Sequence, residues 1–405
     1  MTDTPLTFLR ARSSELKDVA SVSAAHFVSH YYILLLPPLF AFVREEYAVS
    51  YTELGLALTA FNIVSAVLQT PTGFLVDRLG ARTILIAGLL LGAFAFAVAA
   101  AVNSFWVLVL MFGVAGLGNT AYHPADYTIL SNRVPPERIG RAFSVHTFCG
   151  MLGSAVAPAS LLYLQSIVGW RGAFYAAAAL ALPVAALLSI LRDEPDARPA
   201  ASTKSRSAPG ETSEPGWQLL LSPAILRNLL FFVLLAFISG GIQNYSVVAL
   251  ATLYDTPLTV GNTALTGYLL VTAAGILVGG MLVGRLSSLL VASVATLATG
   301  FAVLLVGLVA LGPILLFVAM SIAGFATGVA MPSRDMIVRE VTPPGSFGKV
   351  FGFVTTGFNI GGIISPLVFG AMMDHGNARA VFILVSASCL LAIATLVTGH
   401  RRREG

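Results

Sequence analysis

Gly73-Phe74-Leu75-Val76-Asp77-Arg78-Leu79-Gly80-Ala81-Arg82-Thr83 stands between two long apolar runs, at about 53–76 and 83–102. Charges this close together cannot stay in hydrocarbon. The segment therefore reads as a short loop at a membrane edge, joining two spanning helices. Gly73 lets two helices approach closely, and Gly80 permits a tight turn. Asp77 sits where a carboxylate can meet a helix N-terminus or an arginine.

The rest of the chain agrees with that reading. It has 405 residues, of which 57% are hydrophobic and only 10% charged, and its mean hydropathy is +0.86. A soluble domain carries about 25% charged residues, and a water-soluble fold of this size could not cover its surface with so few. Disorder is excluded because it needs low hydrophobicity and high charge. Long unbroken apolar runs replace the alternation that barrel strands need. What remains is an all-α membrane protein that crosses the bilayer many times. The net charge of +4 and the pI near 9.2 do not point to nucleic acid, since the basic residues sit in short loops and form no single patch. Cys149 and Cys389, the two cysteines, both lie in apolar runs and can build neither a disulfide framework nor a zinc site. The first 18 residues are polar with mixed charge and show no cleavage pattern, so the first apolar segment is expected to direct insertion.

A spanning helix needs about 20 apolar residues. Twelve spans are read, at approximately 19–43, 53–76, 83–102, 105–130, 140–164, 170–191, 225–250, 260–284, 287–310, 313–338, 348–373 and 378–398. Six precede and six follow a segment rich in Pro, Ser and charge, RDEPDARPAASTKSRSAPGETSEPG, which reads as a flexible linker. The expected units are 1–191, an N-terminal six-helix bundle; 192–224, a cytoplasmic linker; and 225–405, a C-terminal six-helix bundle. Of 23 Lys and Arg, only Arg44, Arg171 and Arg379 fall in loops opposite the termini, leaving 20 on the terminal side. The positive-inside rule then places both termini and the linker in the cytoplasm, in an inner (plasma) membrane.

The two halves repeat. Pro124, Pro135, Pro136, Gly140, Phe143, Thr147, Gly153, Pro158, Arg171 and Phe174 recur 208 positions later as Pro332, Pro343, Pro344, Gly348, Phe351, Thr355, Gly361, Pro366, Arg379 and Phe382. Gly116 and Gly324 fit the same offset. Generic glycine richness would not align double prolines and an Arg-x-x-Phe pair. Two parallel repeats of six helices imply a transporter in which one half rocks against the other.

The loop at 73–83 resembles the signature of the major facilitator superfamily, G-x-L-x-D-R-x-G-R-K/R-x, departing at Ala81. The resemblance extends over the whole chain: twelve spans, a central linker, duplicated halves and this loop. It implies the major facilitator fold and transport of a small molecule. It also implies that Gly73, Asp77, Arg78, Gly80 and Arg82 form a latch holding the halves in one state, with the start of span 11 near Gly348 and Lys349 as the partner. The copy in the second half, Gly280-Met281-Leu282-Val283-Gly284-Arg285, lacks the acid, so one latch is expected. His26-Phe27 and Leu36-Pro37-Pro38-Leu39 in span 1, with Gly116-Leu117-Gly118 and Tyr122-His123-Pro124 in span 4, resemble the fosmidomycin-resistance type of drug-efflux carrier. Phe112 stands where many proton-antiporting drug carriers have an arginine, and Ala157-Pro158 where their span-5 motif has Gly-Pro.

Ionisable residues inside spans are functional candidates by default, because burying them is costly. Span 1 carries His26 and His30 one turn apart, about 10–17 Å from the terminal end, followed by Tyr31 and Tyr32 and by Pro37-Pro38, which should break its outer part. In span 4, Asn119, His123 and Asp126 fall three or four apart and should share a face, with Tyr122 beside them and a bend at Pro124. His123, Asp126, His30 and His26 are the candidates for proton coupling, in that order. Asp126 has the alternative of pairing with Arg133, Arg138 or Arg141. The candidates for a substrate cavity are Tyr31, Asn62, Asn119, Tyr122, His146, Gln243, Asn244, Tyr245 and Asn359; Asn62 and Gln69 could equally be interhelical glue. Arg334 and Asp335 read as a pair at the cytoplasmic gate. In this architecture spans 1, 4, 7 and 10 line the central cavity.

Three functions are open at this stage. The first is a proton-coupled secondary transporter of a small organic solute, with efflux favoured and uptake of an organic acid or other metabolite as the alternative. The others are a membrane-embedded enzyme or metal site built from His26, His30, His123 and His146, and a sensor that has lost transport. No H-E-x-x-H, Cys cluster or P-loop is present, so no catalytic residue, cofactor or metal is expected. The expected partners are a small-molecule substrate, protons and the lipid bilayer, with no nucleic acid, and the chain is expected to act as a monomer. A cysteine introduced at Ser205 should react with an impermeant maleimide only when the cytoplasmic face is accessible; labelling from the outer face alone would overturn the topology.

Overall fold

In a computed structural model of the chain, residues 5–135, 138–190, 216–343 and 347–401 are described. They form helices α1 (Pro5–Ile33), α2 (Phe40–Tyr47), α3 (Tyr51–Leu79), α4 (Ala81–Ala101), α5 (Phe105–Asn119), α6 (Tyr122–Arg133), α7 (Ile139–Ile190), α8 (Gly216–Leu220), α9 (Pro223–Gly240), α10 (Ser246–Tyr254), α11 (Leu258–Leu282), α12 (Ser288–Leu308), α13 (Pro313–Val341), α14 (Phe347–Asp374) and α15 (Ala378–Arg401). Residues 192–215 of the expected linker, 192–224, lie outside the described residues, and the chain is helical again from Gly216. Arg82 reaches the Ser189 carbonyl at the end of α7.

Eleven helices among the described residues are long and apolar enough to cross a membrane, against twelve spans in the sequence reading. The difference lies in α7. Its 52 residues would extend about 78 Å, more than twice the hydrocarbon thickness of about 30 Å. Spans 5 and 6 meet inside it at Gly169, whose φ of 71° and ψ of 170° leave the helical region. A single glycine replaces the expected loop.

The first span of each half is interrupted at the same relative place. Pro37 and Pro38 open a 3₁₀ turn, Pro37–Leu39, between α1 and α2. A π-helical turn, Gly241–Tyr245, separates α9 from α10. The 208-residue offset carries Pro37 to Tyr245. Span 4 breaks between Asn119 and Tyr122, one turn before Pro124, because a proline removes the hydrogen bond to the carbonyl four residues earlier and its ring collides with it. Thr120 and Ala121 instead donate to Leu117 and Gly118 in tighter turns.

On the side opposite the termini, Arg171 gathers three elements. It donates to Glu46 at 2.7 Å, to the Ala100 carbonyl at 2.8 Å and to Asn103 at 2.8 Å, and its guanidinium lies 4.4 Å from the Trp170 ring centre. Arg171→Ala should cost about 1–2 kcal/mol, the range for charge-assisted hydrogen bonds near a surface. A fall of a few degrees in the melting temperature in detergent is expected; an unchanged Tm would show that the network is not structural.

Candidate functional site

α1 presents His26 and His30 on successive turns, α6 brings His123 and Asp126, and α7 brings His146. The four imidazoles form one group. The His26 ring stacks on His146 at 3.9 Å and meets His30 and His123 edge-on at 4.6 and 5.4 Å. Gly150 on α7 makes room for this, since a Cβ there would lie 2.7 Å from His26 Nε2 and 3.1 Å from a His30 ring carbon. Asp126 is fully buried. Its Oδ2 lies 3.5 Å from His26 Nδ1 and 3.6 Å from His146 Nε2. These are ion-pair separations, too long for good hydrogen bonds, and among the described residues neither carboxylate oxygen has a hydrogen-bond partner. The three donor atoms fall within 4.8 Å of one another. His30 Nδ1 is 3.1 Å from Ser154 Oγ. The Tyr122 hydroxyl is buried without a partner among the described residues.

The ion-pair contacts of Asp126 among the described residues are His26 and His146, not Arg133, Arg138 or Arg141, and Arg138 binds Glu15 in a bidentate pair at 2.9 and 2.5 Å. His123 and Asp126, expected on one face, diverge. Asp126 is buried, whereas His123 is exposed and stacks on Tyr127 at 5.9 Å. Asn119 does not join them, because the helix breaks between it and His123; its amide is 3.4 Å from Ser65 on α3. Tyr31 bonds Ser160 at 2.9 Å.

A cleft of about 550 Å³ separates the halves at the end where the termini lie. Its walls include Gln69 and Asp77 of α3, Thr128 of α6, and Thr355 and Asn359 of α14. Pro124 also lines it, next to His123 in sequence. Among the described residues Asp77 makes no hydrogen bond or ion pair. The Lys349 side chain, at its expected partner, lies outside the described residues. Asn62 is a contact across the halves, donating to the Gly362 carbonyl at 3.1 Å. Gln243 and Asn244 stand half-buried in the π-helical turn, and the Tyr245 hydroxyl donates to the Pro366 carbonyl at 2.6 Å.

The 208-residue offset equates Asp126 with Arg334. Arg334 is mostly buried, bonds its neighbour Asp335 at 2.8 Å, and has its guanidinium 5.0 and 5.2 Å from the rings of Phe232 and Phe358. The duplicated fold therefore holds an acid among histidines in one half and a base among phenylalanines in the other. Sequence reasoning found both residues and passed over their equivalence, which the offset itself could have disclosed. It also missed Tyr127, Ser154 and Thr128; ordinary hydroxyl-bearing residues give no signal until a neighbouring helix is placed.

Comparison with known proteins agrees with this architecture. The model of the Major Facilitator Superfamily matches residues 22–260 and 229–405. The chain is 28% identical over 381 residues to a probable nitrate/nitrite transporter of Mycobacterium tuberculosis, covering 91% of this chain and 92% of that protein. It is 26% identical over 388 residues to a probable sulfoacetate transporter of Cupriavidus necator, covering 88% and 86%. It is 22% identical over 402 residues to a fosmidomycin resistance protein of Escherichia coli, covering 95% and 93%. Among solved structures, a bacterial homologue of the human lysosomal transporter Spinster superposes with a TM-score of 0.78 at 15% identity, covering 96% of this chain and 97% of that one. A nucleoside transporter superposes with a TM-score of 0.76 at 15% identity, covering 95% and 98%. With the family pattern matching both halves, and with duplicated helical bundles to match, the chain belongs to the Major Facilitator Superfamily and is a multi-pass membrane transporter, not an enzyme.

Proposed function

We propose that the protein moves a small organic solute across the inner membrane by alternating access, that protons drive it, and that export is the favoured direction. The observation that carries the coupling is Asp126. A carboxylate at full burial needs a counter-charge or a proton. The groups facing it are His26 from α1 and His146 from α7, with Tyr122 and Tyr127 of its own helix beside it, and His30 and His123 lie one ring further out, against His26. None of these is an arginine or a lysine. A proton on the carboxylate itself, or on one of the two imidazoles that stand at ion-pair distance, 3.5–3.6 Å, satisfies the group, and a change in hydration as the cleft opens and closes can release it. Asp126 thereby moves ahead of His123 as the proton carrier. His123, exposed and edge-on to His26, is the entry point. His30 and His26 complete the relay.

Tyr31, Asn62, Asn119, Tyr122, His146, Gln243, Asn244, Tyr245 and Asn359 remain the proposed polar surroundings of the solute path, with Arg334 and Asp335 at the gate. Gly73, Asp77, Arg78, Gly80 and Arg82 are the proposed latch. The working unit is a monomer with both termini in the cytoplasm, made of bundles 1–191 and 225–405 joined by 192–224. A second reading, proton-coupled uptake of an organic acid, draws support from Arg334, the base at the position equivalent to Asp126. The name of the sulfoacetate relative, a probable transporter of an organic acid, also favours that solute class.

Counterflow in proteoliposomes against nitrate, sulfoacetate, galactonate, fosmidomycin and chloramphenicol tests the solute class. Asp126→Asn should abolish accumulation driven by an imposed proton gradient while leaving solute exchange, which needs no net proton release. His123→Gln should slow both. If both variants accumulate solute as the parent does, the proton role is wrong. Metal analysis of the purified protein is the control: a bound ion at unit stoichiometry, lost in Asp126→Asn, would replace the proton by a cation.

Asp77→Asn should reduce transport while the purified protein still binds solute, because Asp77 stands at the edge of the cleft. Loss of binding in a well-folded variant would make it a ligand and not a latch.

A further inference from the structure

α3 and α14 run antiparallel, one from each half, and their two ends differ. At the end where the termini lie they stand apart: no atom comes within 4 Å of where a Cβ would be at Gly73 or at Gly352, and both glycines line the cleft. At the opposite end they touch through their backbones. A Cβ at Gly370 would lie 2.8 Å from Thr52 Cα, and one at Gly55 would lie 2.7 Å from the Pro366 carbonyl oxygen. Thr59 and Asn62 donate to the carbonyls of Ile363 and Gly362, each at 3.1 Å.

Asp374 closes this contact. It is the last residue of α14. Its Oδ1 accepts from the Tyr51 amide at 2.7 Å, and its Oδ2 accepts from the Thr52 amide at 2.8 Å and the Thr52 hydroxyl at 2.5 Å. Tyr51 and Thr52 are the first residues of α3, whose own cap, Ser50, bonds the Glu53 amide and leaves the two earlier amides to Asp374. An acid at the carbonyl end of its own helix is unfavourable. Here it is repaid by the positive end of a helix from the other half.

We propose that Asp374 is the counterpart of Asp77, a positioning residue that holds the halves together at the end opposite the termini and so stabilises the state open on the terminal side. The two acids sit at the last turns of the two antiparallel helices, Asp77 on α3 and Asp374 on α14, so each can cap the other helix. In this structure one is engaged and the other has no partner among the described residues. Neither is duplicated: the second-half copy of the loop has Gly284 where the first has Asp77, and the 208-residue offset would pair Asp374 with Ser166. The reciprocity comes from the antiparallel packing and not from the repeat.

The proposal rests on the alternating-access reading, but its test needs neither a solute nor a proton gradient, so a failure of one does not decide the other. Full-length protein in nanodiscs is spin-labelled at cysteines replacing Glu45 and Asn377 for the end opposite the termini, and Thr83 and Leu286 for the terminal end, with Cys149 and Cys389 replaced by alanine. Double electron–electron resonance then reads the two states. Asp374→Asn should shift the ratio of states toward opening at the Glu45–Asn377 pair by about fivefold or more, the scale of losing charge-assisted hydrogen bonds. Thr52→Val, which removes one of the three donors, should shift it less and in the same sense, and Asp77→Asn should shift it the other way. Unchanged distances in Asp374→Asn, or a shift in the same sense as that of Asp77→Asn, would overturn the proposal.

Discussion

Hydrocarbon offers the backbone no hydrogen-bond partner, so every amide and carbonyl at membrane depth must be satisfied within the protein. This constraint explains why the chain is built from long helices and where those helices break. Each interruption lies inside a bundle, where neighbours can take over the freed groups. The 3₁₀ turn at Pro37–Leu39 is wholly buried. The π-helical turn at Gly241–Tyr245 is backed by Tyr245, whose hydroxyl serves the Pro366 carbonyl. The gap before Pro124 is closed by shorter-range bonds from Thr120 and Ala121. Breaks of this kind occur in spans 1, 4 and 7, all counted among the cavity-lining spans of this architecture.

The same constraint prices the polar side chains. Serine and threonine hydroxyls satisfy themselves on carbonyls three or four residues back, as at Thr72 and Thr327. Asp126 cannot do this, since an acceptor finds no free donor on its own helix. It is held where two imidazoles from other helices come within ion-pair distance. At the equivalent place in the second half, Arg334 faces aromatic rings and a small cavity of about 50 Å³ that also touches Thr299 and Thr327. Duplication supplied the scaffold twice, and the two copies of the site have opposite charge.

In the proposed alternating access, the antiparallel pair α3 and α14 links these sites to motion. Where the helices touch, glycines and carbonyls make the surfaces, so the contact is close and depends on small residues. Where they separate, the cleft is lined by amides, hydroxyls and the carboxylate of Asp77. A rocking motion need only exchange which end is in contact. Backbone surfaces suit that exchange, because they hold no interlocked side chains that must be unpacked.

Much of this was legible in the residues alone. Apolar runs of spanning length, the charged loop at 73–83 and the offset of 208 determined the helices, their number of crossings and the duplication, because these depend on local hydrophobicity and on distances along the chain. Proline positions located the breaks in spans 1 and 4 to within a turn, whereas the π-helical turn in span 7 has no proline to mark it. The single-residue join at Gly169 was not legible, since a glycine between apolar runs looks the same whether it ends a loop or replaces one. Nor was the divergence of His123 from Asp126: spacing fixes an angle around a helix but not what stands opposite. That His26 and His146 converge on one carboxylate, that Asn62 and Asp374 reach across to the other half, and that Asp77 has no described partner were decided only by the tertiary structure. Each is a contact between helices far apart in sequence, where side-chain packing, and not local pattern, sets which groups meet.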